Sequence, residues 1–141
     1  MSFLLDTNVI SEWVKLRPNA GVIRWLADAD EDEVFISVIS IAEISRGLEL
    51  MPKGHRRDGI AKWLSEDLPA RFAGRILLVH LAVAQEWGAT CKKAHGRGYT
   101  VSIMDGFLSA TARIHDLTLV TRNTKDFQGL GLTLLNPWTD F

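Results

Sequence analysis

At 141 residues, with 47% hydrophobic and 23% charged side chains, the chain has the size and composition of one soluble globular domain, 1–141, and is too apolar to be disordered. A net charge of −1 excludes a global electrostatic pull toward polyanions, so nucleic-acid binding must come from local patches or bound metal. A single cysteine, Cys91, excludes an internal disulfide framework, and with no signal peptide or membrane-length apolar run the expectation is a cytoplasmic protein.

Apolar runs and helical patterns alternate along the chain. Phe3 to Leu5 predicts a short first strand. Ile10 to Val14 and Ala20 to Ala29 predict helices, the second with an apolar stripe of Val22, Ile23, Trp25 and Leu26. Val34 to Val38, β-branched and aromatic, predicts a buried strand, and Ser40 to Leu50 returns to helical periodicity. Lys53 to Arg57 reads as a polar connection, followed by a helix over Asp58 to Leu68. Ile76 to Val79 predicts a third strand, and Ala82 to His95 a helix stopped by Gly96-Arg97-Gly98. A helix over Ser102 to His115, a strand over Leu117 to Thr121 and a short strand over Leu132 to Leu135 complete the pattern. Alternation of this kind predicts an α/β domain whose parallel sheet is covered on both faces.

Four acids, Asp6, Glu43, Asp105 and Asp126, lie far apart in sequence. Asp6, Glu43 and Asp126 each follow a strand-like run, and Asp105 opens a helix. Parallel strands would gather them at one sheet edge, where open α/β folds place their chemistry. Taken singly, each acid has a capping explanation. Ser40 to Glu43 matches a capping box, Ser102 to Asp105 resembles one, and Asp6 and Asp126 suit turns or caps. Taken together they suggest something else. Three carboxylates about 5 Å apart repel by roughly 3 kcal/mol per pair at an effective dielectric of 20. Three such pairs approach about 10 kcal/mol, comparable with a domain's net stability of roughly 5–15 kcal/mol. A cluster of this kind must protonate, splay apart or bind a cation. All-oxygen ligands without sulfur suit Mg2+ or Mn2+, which activate water for attack on phosphate esters.

Other constellations are weaker. His55, His80, His95 and His115 share no metal-ligand spacing, and Cys91 sits mid-helix without an acid–base motif. No phosphate-cradling glycine loop occurs. Lys53, His55, Arg56 and Arg57 form one basic patch, and Lys92, Lys93 and Arg97 another; each reads as solvated surface or as a hold for an RNA backbone.

Four segments in order resemble the motifs of PIN-domain ribonucleases, especially the VapC and FitB-like toxins of bacterial toxin–antitoxin pairs. They are Leu5-Asp6-Thr7-Asn8-Val9-Ile10-Ser11, then Ile36 to Glu43 followed by Gly47, then Asp105 to Ala112, and finally Leu119 to Phe127. The closing Asn136-Pro137-Trp138 is similar too, so the match spans almost the whole chain. The resemblance implies a three-layer α/β/α fold with a mostly parallel sheet. It implies that Asp6, Glu43 and Asp105 hold Mg2+ or Mn2+ and that Asn123 and Asp126 complete the catalytic set. Asn123 stands where many relatives carry an Asp, so the fourth motif contributes its charge through Asp126 alone. The implied function is a metal-dependent endoribonuclease toxin, a homodimer held inactive by a cognate VapB-like antitoxin and reaching operator DNA only through it. The helical hairpin around Leu48 to Leu68, with Trp63, is the candidate antitoxin clamp. Two alternatives stay open: a non-toxic PIN nuclease in RNA processing, and an inactive PIN-like binding subunit. Against the latter, a scaffold gains nothing from clustered repulsion.

Overall fold

The computed structural model describes residues 1–141. Its centre is a five-stranded sheet of β1 (Phe3–Leu5), β2 (Val34–Ser37), β3 (Ile76–Leu77), β4 (Thr118–Val120) and β5 (Leu134–Leu135). The strand order is β3-β2-β1-β4-β5, and every pairing is parallel. β1 lies at the middle, with Leu4 opposite Phe35 on one side and Leu119 on the other. Around the sheet lie α1 (Thr7–Ile10), α2 (Ala20–Asp28), α3 (Val38–Glu49), α4 (His55–Lys62), α5 (Leu68–Arg71), α6 (Leu81–Gly96) and α7 (Ile103–Ile114). No helix is long and apolar enough to cross a membrane.

The period of two along each strand divides the core into two layers. Leu5, Val34, Ile36 and Val120 point to one face and pack with Val9, Val22, Leu26 and Ile44 from α1, α2 and α3. Their sequence neighbours Leu4 and Leu119 point to the other face and pack with Ala94, Leu108 and Ala112 from α6 and α7. Because both faces are covered, the strands read as continuous apolar runs rather than alternating ones. The result is the three-layer α/β/α arrangement, with the sheet parallel throughout.

Several boundaries differ from the sequence reading for local reasons. The helix expected at Ile10 to Val14 is instead α1 running into a 3-10 turn over Ser11–Val14, because Asp6 caps the chain directly after β1. α3 begins at Val38, not Ser40: Ser37 is its cap, its Oγ accepting the Ile39 N–H at 3.0 Å. The capping-box reading of Ser40 and Glu43 is therefore wrong. The polar connection is shorter than expected, since α4 starts at His55. The following turn, Trp63–Asp67, is π-helical and leads into α5, where Pro69 has no N–H to return to a regular ladder. α6 ends as expected, with Gly98 at φ +85° turning the chain.

Leu4 is fully buried at the centre of the sheet. Leu4→Ala is expected to cost about 2–5 kcal/mol, read as a lower urea midpoint at unchanged m value.

Candidate active site at the carboxyl edge of the sheet

From β1 the strand order runs outward in both directions, to β2 and β3 on one side and to β4 and β5 on the other. Such a reversal opens a crevice beyond the carboxyl ends of the central strands. Asp6 follows β1 directly and fills this position. Its backbone N–H continues the sheet by donating to the Val120 carbonyl at 2.9 Å. Its side chain caps α1, with Oδ1 accepting the Thr7 N–H at 2.7 Å. Oδ2 accepts from the Thr121 hydroxyl at 2.8 Å and from Asn8 Nδ2 at 3.4 Å. Only 5% of Asp6 is exposed.

The neighbouring strand ends hold the other acids. Glu43, half-buried in the second turn of α3, is reached by the Thr7 hydroxyl at 2.6 Å, which also lies 3.0 Å from the Ser40 hydroxyl. Thr7 thus ties the β1 loop to α3. Asp105 sits in the first turn of α7, its backbone N–H donating to Ser102 Oγ at 3.2 Å. That half of the expected capping box is present; Ser102 also hydrogen-bonds the Asp105 carboxyl, which lines the cleft. Gly106 beside it is obligatory, since a Cβ there would lie 2.8 Å from Trp87 Nε1. Trp87 in turn donates to the Ile103 carbonyl and stacks on Phe107, fixing the turn that carries Asp105.

The fourth motif divides its parts. Thr121 is fully buried, and its Oγ1 accepts the Asn123 N–H at 3.0 Å while its hydroxyl donates to Asp6. Asn123 is therefore joined to Asp6 through its backbone, and its side chain bonds none of the four acids. Asp126 is exposed on a 3-10 turn, Thr124–Phe127, and lines a cleft with Tyr99, Ser102, Asp105 and Lys125.

Electrostatics shows which acids meet. Burial pushes the Asp6 carboxyl up to about 6; repulsion from Asp105 and Glu43 adds to this, while hydrogen bonds from Thr121 and Thr7 oppose it. Burial likewise raises Asp105, the Ser102 hydrogen bond opposing and Asp126 and Glu43 adding. All four acids are thus linked through mutual repulsion, and none forms an ion pair with a lysine, arginine or histidine. As they stand, no three are drawn together tightly enough to enclose an ion. The donor set nevertheless fits a hard divalent cation. It is all oxygen and lacks a compensating cation, and Mg2+ keeps several waters and takes only one or two carboxylates directly.

The sequence reading missed two features. Fully buried Ser40 serves the Thr7–Glu43 link rather than a cap, and only the fold reveals this. The His80 and His115 rings meet edge to face, 5.6 Å between centroids, although no sequence spacing couples them.

A PIN-domain model matches residues 3–131. The chain belongs to the PIN-domain family. It is 36% identical to the toxin FitB of Neisseria gonorrhoeae, over 97% of this chain and 99% of that protein. It is 34% identical to the VapC ribonuclease Y4jK of Sinorhizobium fredii, over 96% of each. A solved structure of FitAB bound to an IR36 DNA fragment superposes with a TM-score of 0.90 at 34% identity, covering 96% of this chain and 95% of that one. Within the PIN domains, the chain stands with the VapC/FitB-like toxins.

The raised Asp6 value fixes a pH dependence. Between 3.8 and about 6 the folded PIN domain binds a proton that the unfolded chain releases, so this contribution favours folding at low pH. It is lost as pH rises through that window and amounts to about 3 kcal/mol. Urea unfolding of metal-free protein across this range should show the loss, and Asp6→Asn should flatten it. An identical slope in the variant would mean that Asp6 is not destabilised by burial.

Proposed function

We propose that the chain is the toxin of a VapBC/FitAB-type pair, one PIN domain over 1–141 that cuts RNA with the aid of a divalent metal in the cytoplasm. The observation that carries the reading is the buried Asp6, locked by Thr7 and Thr121 yet repelled by Asp105 and Glu43 at the carboxyl edge of the sheet. A scaffold has no use for that repulsion, whereas a cation relieves it. The relatives named above, a toxin and a ribonuclease matched over nearly their whole length, support the same assignment.

Asp6, Glu43 and Asp105 would hold Mg2+ or Mn2+. When bound, the ion supplies Lewis acidity at a phosphate oxygen and lowers the pKa of an attacking water. The protein's share is positioning. Thr121 and the Thr7 amide fix both oxygens of Asp6, and the Thr7 hydroxyl fixes Glu43. The first turn of α7 presents Asp105, its N-terminal dipole favouring negative charge. Asp126, exposed and lining the cleft, would take a proton from the attacking water. Asn123 steers without adding charge. The reachable substrate is a phosphodiester in single-stranded or loop RNA.

The partner is a cognate antitoxin, through which the pair reaches operator DNA, and the toxin itself acts as a homodimer. A solved relative in which FitAB is bound to a DNA fragment supports the link between such a pair and DNA. The segment from Leu48 to Leu68 is the proposed clamp, with Leu50 exposed and Trp63 half-buried against the core.

Labelled RNA incubated with antitoxin-free protein and Mn2+ should be cut, and chelator or Asp105→Asn should abolish the cutting. Chelator-resistant cleavage would remove the metal from the mechanism; metal binding without cleavage of any cellular RNA would remove the nuclease. Trp63→Ala should weaken antitoxin binding in a titration, and unchanged affinity would exclude the clamp.

A further inference from the structure

A polymer cut at this edge has to leave it, and the acids that form the site repel the phosphates on either side of the scissile bond. In a protein of net charge −1, the exit needs cations that local acids have not already neutralised. Such cations lie beside the cleft. Beyond Asp105 and Asp126 the cleft is bounded by Lys125 and Tyr99, and the Tyr99 hydroxyl donates to the Gln128 carbonyl at 3.1 Å. There it meets the loop Gln128–Leu132, in which Gly129 and Gly131 both adopt left-handed φ, +78° and +76°.

Cationic heads fill the space that side chains would take at these two glycines. A Cβ on Gly129 would stand 2.7–2.9 Å from the Arg97 guanidinium and its Cδ. A Cβ on Gly131 would stand 2.7 Å from Arg113 Nη1 and 3.4 Å from Lys93 Nζ. Arg113 is engaged, pairing with Glu86 at 3.1 Å and donating to the Leu130 carbonyl at 3.3 Å, so it props the loop. Arg97, Lys93 and Lys125 have no acidic partner, and all three are exposed. A second cleft of about 410 Å³ opens between Arg113, Asp116, Gly131 and Thr133. With no Cβ in the way, the glycine loop lets the Arg97 and Lys93 heads rest against it, and their exposed sides are left to meet a phosphate.

The geometry points to a phosphodiester-binding path from the acid cluster past Lys125, over the Arg97 head where it rests on Gly129, to Lys93. The path seats one arm of a single-stranded RNA by its backbone. It reads charge and strand flexibility rather than base identity, because these cations would meet phosphates. The inference rests on the nuclease reading and names how that site holds its substrate.

The test uses the non-cleaving Asp105→Asn protein, with binding followed by fluorescence anisotropy against salt. The probes are an unstructured RNA of about 16 nucleotides, at the upper end of site sizes for such grooves, and a trinucleotide. Arg97→Ala or Lys93→Ala should weaken binding of the longer RNA several-fold and lower the salt slope by about 0.7 for each phosphate no longer neutralised. The weakening on the trinucleotide should be smaller, and Arg97→Lys should keep the slope. Circular dichroism melts confirm that each variant is folded. Unchanged affinity and slope in both alanine variants, while the wild-type protein cuts RNA, would overturn the path and leave the nuclease standing. A wild-type protein that neither binds nor cuts RNA would overturn both.

Discussion

The placement of the Asp6 carboxylate is the constraint on which the rest of the molecule turns. A carboxyl group that is 5% exposed survives in a fold only when its oxygens are bonded, and here the bonds come from three places at once. The Thr7 amide ties it to α1, the Thr121 hydroxyl ties it to the end of β4, and Asn8 Nδ2 donates to it at 3.4 Å. The Thr121 partner exists only because β1 and β4 are adjacent and parallel, in a register that puts Leu5 beside Val120. The pairing that builds the centre of the sheet therefore also builds the site. The same burial that makes Asp6 rigid raises its proton affinity and makes neighbouring carboxylates costly.

Mutual repulsion acts among the acids at this edge. The acids are close enough to raise one another's proton affinity, but no three close on a common point. Threonine hydroxyls hold two of them, the amide of a capped helix turn carries the third, and the fourth stays at the solvent face. An all-oxygen donor set of this kind fits an ion that keeps part of its water shell. Net charge conceals this polarity. The molecule is nearly neutral as a whole, yet unpaired acids gather at the strand ends while unpaired cations lie along α6 and the glycine loop next to them. Segregation of this kind produces local potentials that a summed charge does not report.

Much of the fold could be read from the residues. Short apolar runs separated by helical periodicity reproduce every strand, and their two-sided burial is visible in runs such as Leu4-Leu5 and Leu119-Val120. Boundaries were less legible where one side chain has two possible uses. Ser40 and Glu43 have the spacing of a capping box, but Ser37 stands one turn earlier at the true end of β2 and takes that role. Local pattern cannot rank two serines. The strand end does so, because it fixes where the backbone first has free N–H groups.

By itself the sequence determined the order of strands and helices, the four acidic positions, and the family to which their motifs belong. Those properties depend on periodicity and residue type, which are local. Only tertiary structure decided that Thr121 bonds Asp6 from 115 residues away, that Thr7 and Ser40 serve Glu43, and that Asn123 is joined through its backbone rather than its amide. It also placed the Arg97 and Lys93 heads against glycines that lie far beyond them in the chain. Sheet order and helix packing set each of these meetings, and neither is written in the spacing of residues along one segment.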